Sequence, residues 1–237
     1  DLHLSIRRQR QMCIRDSIYH EALERYSKKL DRGSTDWFSV TDAKRDELAM
    51  EAINEVIDEY AGFGIFDTAE SQHSISHMKA VFKQTVWALT TQIRRGSFVP
   101  ERFEFSFYES LDMANDVTVD IKGRVDRTDT YTDEGRLFVK VLDYKSGNTV
   151  FDLVKLYYGT QLQLAVYMDA VMEQKKEALK QVSVEPGGML YYHIDDPVID
   201  LKDVTPGTEL SEEEINQMKM RFFINISPVS YTHLRAH

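Results

Sequence analysis

Two neighbouring segments with a strict two-residue alternation constrain the fold of this chain more than any other feature. Between residues 137 and 145, every second residue falls on one face: Leu137, Val139, Val141, Asp143 and Lys145. Because side chains alternate across a β-strand, a carboxylate and an ammonium group then leave the end of an apolar face side by side. Residues 117–126 alternate in the same way, and their polar row ends at Asp126. Two adjacent strands can therefore bring two acids to one point.

The pattern around these two segments predicts the rest of the fold. Helical spacing of apolar residues favours helices at 18–29, 41–60, 75–93 and 153–176, and a capping box, Ser211 with Glu214, begins a surface helix at 211–221. Strands are expected near 102–110, 116–130, 136–145 and 188–193, with a hairpin turn at 133–135. A strand, a helix and a strand in succession imply a right-handed crossover and a parallel pair. We expect an α/β fold in which helices flank a mixed central sheet, with a helical N-terminal part.

The acids and the lysine suit the hydrolysis of a phosphodiester. This reaction needs a hydroxide placed in line with the leaving oxygen and neutralisation of the charge on the phosphoryl oxygens, and a cation held by carboxylates provides both. Asp126 and Asp143 are the predicted ligands, and the backbone carbonyl of Tyr144 is a third. Lys145 is predicted to stabilise the developing charge or to orient and deprotonate the attacking water.

A second pair of candidate residues lies on the helix that follows. Gln163 and Tyr167 are four residues apart, so they share one helical face and can reach substrate or metal-bound water. Gln161 is a weaker substitute for Gln163. Taken singly, each of these polar residues is more often a turn former, a solvated charge or a half-buried helix residue, and only their joint occurrence predicts a site.

The ordered set of motifs resembles the PD-(D/E)XK nuclease superfamily and, within it, the nuclease domain of AddB-type helicase–nuclease subunits. The resemblance covers most of the chain and is carried by GRVDRTD at 123–129, VLDYKSG at 141–147 and YYGTQLQL at 157–164. It extends to HMK at 77–79, FEFSF at 103–107 and MLYYHIDDP at 189–197. HEALERY at 20–26 resembles the segment in which a helix-borne histidine reaches the metal, so the resemblance implies His20 as a further ligand.

The resemblance implies a restriction-endonuclease-like fold and a Mg²⁺-dependent exonuclease. Its relatives act with an AddA-type motor subunit, which delivers single-stranded DNA, and resect the 5′-terminated strand of double-strand breaks for recombinational repair in the cytoplasm. They also carry a 4Fe–4S cluster. The single cysteine, Cys13, lies within residues 7–17, which resemble a translated sequencing adapter. The cysteines of the cluster are therefore expected only in the full-length protein.

The two ends of the chain resemble translated sequencing adapters rather than native protein. Residues 7–17, RRQRQMCIRDS, match a transposase-type adapter, and residues 229–237, VSYTHLRAH, match its opposite strand. We therefore expect 1–17 and 229–237 to be artefacts and 18–228 to be a nuclease domain truncated at both ends. The alternative for the first segment is a natural basic arm.

Charge and hydropathy restrict the class of protein further. Without the five arginines and two aspartates of the end segments, the formal charge falls from −10 to −13. This acidic balance argues against a protein that binds DNA by general attraction to its phosphates. It favours a catalytic module to which a larger complex delivers the DNA strand. No run of 18 apolar residues is present, which argues against a membrane partner.

Two alternative functions remain open from the residues. One is another exonuclease of the superfamily, such as a Cas4-like protein, and the other is a domain that guides DNA without cutting it. Arg94 and Arg95 are predicted to complement the partial negative charge at the C-terminus of a helix. Contact with the DNA backbone is the alternative.

Overall fold

The computed structural model describes residues 2–32, 35–62, 69–113, 117–145, 150, 152–194 and 226–229. The helix predicted at 211–221, with its capping box of Ser211 and Glu214, lies outside these residues. The elements are, in order, α1 (Leu2–Arg32), α2 (Asp42–Ala61), α3 (Ala69–Arg95), β1 (Val99–Met113), β2 (Val117–Asp133), β3 (Arg136–Lys145), α4 (Leu153–Tyr157), α5 (Gln163–Ala178), β4 (Ser183–His193) and β5 (Ile226–Val229). This order confirms an α/β fold with a helical N-terminal part.

Helices α1, α2 and α3 belong to the first of two units, formed by residues 1–95 and 193–226. The Thr41 side chain accepts a hydrogen bond from the Lys44 N–H, which confirms the predicted start of α2. Helix α1 begins at Leu2 rather than at the predicted Ile18. It therefore includes the segment that precedes the apolar pattern. Apolar residues of the three helices form the buried core of this unit, among them Ile18, Leu23, Leu30, Ile53, Val56, Phe82, Val86 and Leu89.

The second unit, residues 96–192 and 227–237, contains the sheet. Its strand order is β1-β2-β3-β4-β5, with antiparallel pairing of β1 with β2 and of β2 with β3. Glu134 and Gly135 both have positive φ, 46° and 77°, in the turn between β2 and β3. Two left-handed residues match the twist of the flanking strands, so the hairpin predicted at 133–135 is confirmed. Strand β5 was not predicted.

Helix α5 covers the sheet and fixes the face on which the candidate residues lie. The alternating residues Leu137, Val139 and Val141 are buried, as the sequence predicted, and they pack in one cluster with Leu164, Met168 and Val171 of α5. The helix predicted at 153–176 is broken into α4 and α5. Gly159 takes a φ of +73° in the break, a conformation that ends a right-handed helix. In the part of the chain that the structure describes, no helix is long and apolar enough to span a membrane.

Candidate active site

Strands β2 and β3 are joined by a side chain at the point where their backbone pairing stops. Their register runs from Asp133 opposite Arg136 to Arg127 opposite Leu142. Directly beyond this pair, the N–H of Tyr144 donates a 2.6 Å hydrogen bond to Oδ2 of Asp126. Both residues are buried. The Asp126 carboxylate thus takes the place of a backbone acceptor and holds the acid-bearing ends of the two strands together.

Four of the predicted residues form one chain of polar contacts. Lys145 Nζ lies 2.6 Å from Asp143 Oδ2 and donates to Gln163 Oε1 at 3.1 Å. The amide of Gln163 donates to Asp143 Oδ1 at 2.7 Å and to the Tyr167 hydroxyl at 3.0 Å. Gln163 is the first residue of α5 and Tyr167 lies one turn later, so the helix start is aimed at the end of β3. The structure therefore brings Asp143, Lys145, Gln163 and Tyr167 together.

Burial and charge act in opposite directions on Lys145. Partial burial lowers the pKa of its ammonium group, but the charge of Asp143 and the contact with its carboxylate outweigh burial and raise the pKa above the ordinary value. Asp126 contributes in the same direction. Lys145 is therefore a cation at neutral pH in the metal-free chain, suited to stabilise negative charge. Burial raises the pKa of the Tyr167 phenol, so its hydroxyl stays neutral while it accepts the bond from Gln163.

A third acid, Glu104 of β1, joins the site and was not predicted as a ligand. The register pairs Phe103 with Arg127 and Phe105 with Val125, which places Glu104 opposite Asp126. Carboxylate oxygens of the two acids lie within 4.8 Å of each other. Glu104 has a φ of 50°, an uncommon backbone conformation for a residue with a side chain. The only signal in the sequence was its place between aromatic residues in the FEFSF segment.

A buried ionic cluster lies on the same strands. Arg127 makes a two-pronged contact with Asp129, from Nε to Oδ1 at 2.7 Å and from Nη2 to Oδ2 at 2.8 Å. Its third nitrogen donates to the Tyr144 hydroxyl at 3.2 Å, and Lys140 Nζ lies 2.7 Å from Asp129. Asp129 is fully buried, which by itself raises the pKa of its carboxyl, but Arg127 and Lys140 outweigh burial and lower it. Tyr144 thus links this cluster to Asp126.

Comparison with known proteins decides the family. Residues 9–225 match the family model of the PD-(D/E)XK nuclease superfamily. The chain belongs to this superfamily. It is 36% identical over 214 residues to an ATP-dependent helicase/deoxyribonuclease subunit of Lachnoclostridium phytofermentans, covering 90% of this chain and 18% of that protein. The subunit of the same name from Alkaliphilus metalliredigens is 34% identical over 215 residues, covering 86% of this chain and 18% of that protein. The chain thus spans about a fifth of the length of these relatives.

PD-(D/E)XK nucleases use divalent metals, and the carboxylates of this chain fit such a cation. Asp126, Asp143 and Glu104 carry carboxylate oxygens, the type of ligand that Mg²⁺ and similar ions prefer. Asp126 and Glu104 face each other across β1 and β2, with carboxylate oxygens within 4.8 Å of each other, so one cation could contact both. Asp143, Tyr144 and Lys145 read Asp-X-Lys, the pattern in the name of the superfamily.

The remaining predicted residues fall into two groups. His20 lies partly buried on α1 in the helical unit, and its ligand role stays a prediction, as does that of the Tyr144 carbonyl. Gln161 has a structural contact, because its Oε1 accepts from the Asp152 N–H at 2.9 Å and its Nε2 donates to the Val150 carbonyl at 3.1 Å. Arg94 donates to the Trp37 and Val40 carbonyls, which favours a structural role.

Proposed function

We propose that this chain is the Mg²⁺-dependent deoxyribonuclease domain of an AddAB-type helicase–nuclease and hydrolyses phosphodiesters of single-stranded DNA. The observation that carries the proposal is the contact of Lys145 with both Asp143 and Gln163, next to the bond between Asp126 and the Tyr144 N–H. This arrangement sets a cation, two acids and a neutral donor at one point. The relatives are named as helicase/deoxyribonuclease subunits, which supports DNA as the substrate.

Each residue has a distinct task in this proposal. Asp126, Asp143 and Glu104 hold the metal, with His20 and the Tyr144 carbonyl as further ligands. When bound, the divalent cation supplies charge neutralisation for the phosphoryl oxygens and a water of lowered pKa. Lys145, kept protonated by Asp143, donates hydrogen bonds to the phosphoryl oxygens and stabilises the charge that develops on them.

Gln163 and Tyr167 orient the groups that carry the charge. Gln163 accepts from Lys145 and donates to Asp143, so it fixes the direction of both side chains. Tyr167 supports Gln163 through its hydroxyl and packs edge-on against the Phe107 ring at 5.7 Å between centroids. Such fixed orientation lowers the reorganisation needed when the phosphoryl group becomes charged.

We propose the wider setting from the resemblance to AddB-type subunits. The native segment, 18–228, acts with an AddA-type motor that delivers the single strand, and the 5′-terminated strand is the one cut. The complex resects double-strand ends in the cytoplasm, and its full-length chain carries the 4Fe–4S cluster.

The test compares cutting with metal binding in matched variants. Asp143→Ala, in this chain and in a complex rebuilt around it, should lower Mg²⁺-dependent cleavage of end-labelled single-stranded DNA at least roughly a hundredfold, because a ligand is lost. Lys145→Ala should lower cleavage comparably while leaving metal affinity, measured by calorimetry, largely unchanged. Asp133→Ala, in the half-exposed turn between β2 and β3, is the control and should cut normally. Strand choice is read from separate 5′ and 3′ labels. Wild-type cleavage by both site variants would overturn the nuclease assignment.

A further inference from the structure

Strands β1 and β2 continue past the candidate active site as a two-stranded ribbon. Pairing of β2 with β3 ends at Arg127, whereas pairing of β1 with β2 continues from Phe105 opposite Val125 to Met113 opposite Val117. The ribbon therefore begins at the acids Glu104 and Asp126 and extends away from them.

The two faces of this ribbon differ in chemistry. On one face, Phe105 and Phe107 pack with Val125 in the core cluster, together with Tyr167 of α5. The register places polar residues on the other face, and we call this set the ribbon row: Ser106, Tyr108 and Ser110 of β1 with Asp120, Lys122 and Arg124 of β2. The row ends at Arg124, whose side chain contacts Glu104, a proposed metal ligand.

An exposed aromatic ring and a lysine form the centre of the ribbon row. Tyr108 is 58% exposed, and Lys122, directly opposite it in the register, places its Nζ 5.4 Å from the centroid of the Tyr108 ring. Arg124, one pair closer to the site, has a side chain that is 59% exposed and contacts Glu104 at 2.7 Å. An accessible aromatic ring with a cation beside it is the combination by which proteins bind single-stranded nucleic acid.

The negative charge of Asp120, at the end of the ribbon row far from the site, opposes phosphate binding there. Its carboxylate accepts a 2.7 Å hydrogen bond from the Ser110 hydroxyl, and this bond together with one from Tyr108 lowers the pKa of the Asp120 carboxyl. Asp120 therefore remains charged at neutral pH. The positive part of the row is confined to Lys122 and Arg124, between this acid and the site.

We propose that the ribbon row is a binding track for single-stranded DNA, in which a base stacks on Tyr108 and Lys122 and Arg124 contact the adjacent phosphates. The proposal rests on the proposed function, because it names the substrate path into that site. Lys122 and Asp126 are four residues apart on one strand, about 13 Å at the usual rise, a distance that a few nucleotides cover. Duplex DNA offers no free base face to Tyr108, so the track selects unpaired strands.

The test measures binding without catalysis. Fluorescence anisotropy of dye-labelled oligo-dT is recorded in EDTA with the whole chain, so that the result does not depend on the metal. Tyr108→Ala should raise Kd at least roughly fivefold, the lower end of what loss of one base–aromatic stack produces. Tyr108→Phe should bind as wild type does, because it keeps the ring and loses only the hydroxyl bonded to Asp120. Lys122→Ala should reduce the slope of log Kd against log salt by about 0.7, the value for one phosphate contact on a single strand.

A matched control lies at the other end of the sheet. Arg136 places its guanidinium 5.2 Å from the Phe138 ring, the same kind of pair in the turn region between β2 and β3. Arg136→Ala should leave both Kd and its salt dependence unchanged. Circular dichroism of each variant shows that it is folded before binding is measured.

The outcomes separate this inference from the proposed function. Weaker binding by Tyr108→Ala and Lys122→Ala, with Arg136→Ala unaffected, supports the track even if the wild type cuts no DNA. Normal Mg²⁺-dependent cutting with unchanged binding in both ribbon variants overturns the track and leaves the nuclease intact. Failure of the wild type to bind oligo-dT, or equally tight binding of duplex DNA with no effect of Tyr108→Ala, also overturns it.

Discussion

The N–H of Tyr144 lies 2.6 Å from Oδ2 of Asp126, and this bond couples the fold of the sheet to the candidate active site. Asp126 is a proposed metal ligand on β2, whereas Tyr144 lies between Asp143 and Lys145 on β3. The same carboxylate therefore has a structural and a chemical function. Substitutions that keep or remove the oxygen accepting this bond can separate the two.

Asp126→Ala should lose both cleavage and stability, whereas Asp126→Asn should lose mainly cleavage. Alanine leaves the buried Tyr144 N–H without its acceptor, which costs about 1–3 kcal/mol in the free energy of unfolding. Asparagine retains an oxygen that can accept this bond but is a poorer ligand for a hard cation. Urea unfolding followed by circular dichroism measures the stability, and cleavage of labelled single-stranded DNA measures activity. Equal stability of the two variants would show that the Tyr144 bond contributes little.

Gln163→Leu should lower kcat roughly ten- to a hundredfold, because it removes the partner that orients both Lys145 and Asp143. Tyr167→Phe is the matched comparison, since it removes only the hydroxyl that accepts from Gln163, and it should have a smaller effect. Steady-state cleavage of an oligonucleotide separates kcat from KM. A change confined to KM would indicate that Gln163 binds substrate rather than positions the site.

Gly123→Ala should lower the stability of the chain by about 1–3 kcal/mol through overpacking. A methyl group at this position would overlap the Phe107 ring and lie 3.0 Å from the Tyr167 ring, closer than carbon atoms pack. Cleavage should also fall, because movement of Tyr167 disturbs Gln163. Gly188→Ala is the control, since its added methyl would be 3.7 Å from Lys140. Thermal unfolding and cleavage rates are measured for both variants. Equal melting temperatures and equal cleavage rates of Gly123→Ala and Gly188→Ala would contradict the prediction.

Local patterns were sufficient to predict the elements that build the site. The alternation from Leu137 to Lys145 places three apolar residues under α5 and the acid and the lysine at the strand end, as the structure shows. The four-residue spacing of Gln163 and Tyr167 correctly placed both on one helical face. These features depend only on the period of a strand or a helix, which a single sequence records directly.

Features that depend on strand register or on backbone irregularity were not predicted. Glu104 joins Asp126 only because β1 pairs with β2 in one register, and no periodicity within β1 reveals it. The break between α4 and α5 depends on the left-handed backbone of Gly159, which the apolar pattern of 153–176 concealed. The bond from the Tyr144 N–H to Asp126 likewise requires two strands to separate at one residue.

Asp129→Asn should destabilise the chain by about 3–5 kcal/mol, because it leaves the buried Arg127 and the largely buried Lys140 without their shared carboxylate. The pKa of Asp129 is lowered from its ordinary value of 3.8, so its contribution to stability is complete above pH 3.8 and is lost only as the pH falls through the lower folded value. The difference in unfolding free energy between wild type and variant should therefore stay constant from pH 6 to pH 4. Asp133→Asn, in a half-exposed pair with Arg136, should cost less than about 1 kcal/mol. Urea titrations at several pH values provide both measurements. A difference that already shrinks between pH 6 and pH 4 would mean that burial, rather than Arg127 and Lys140, controls the ionisation of Asp129.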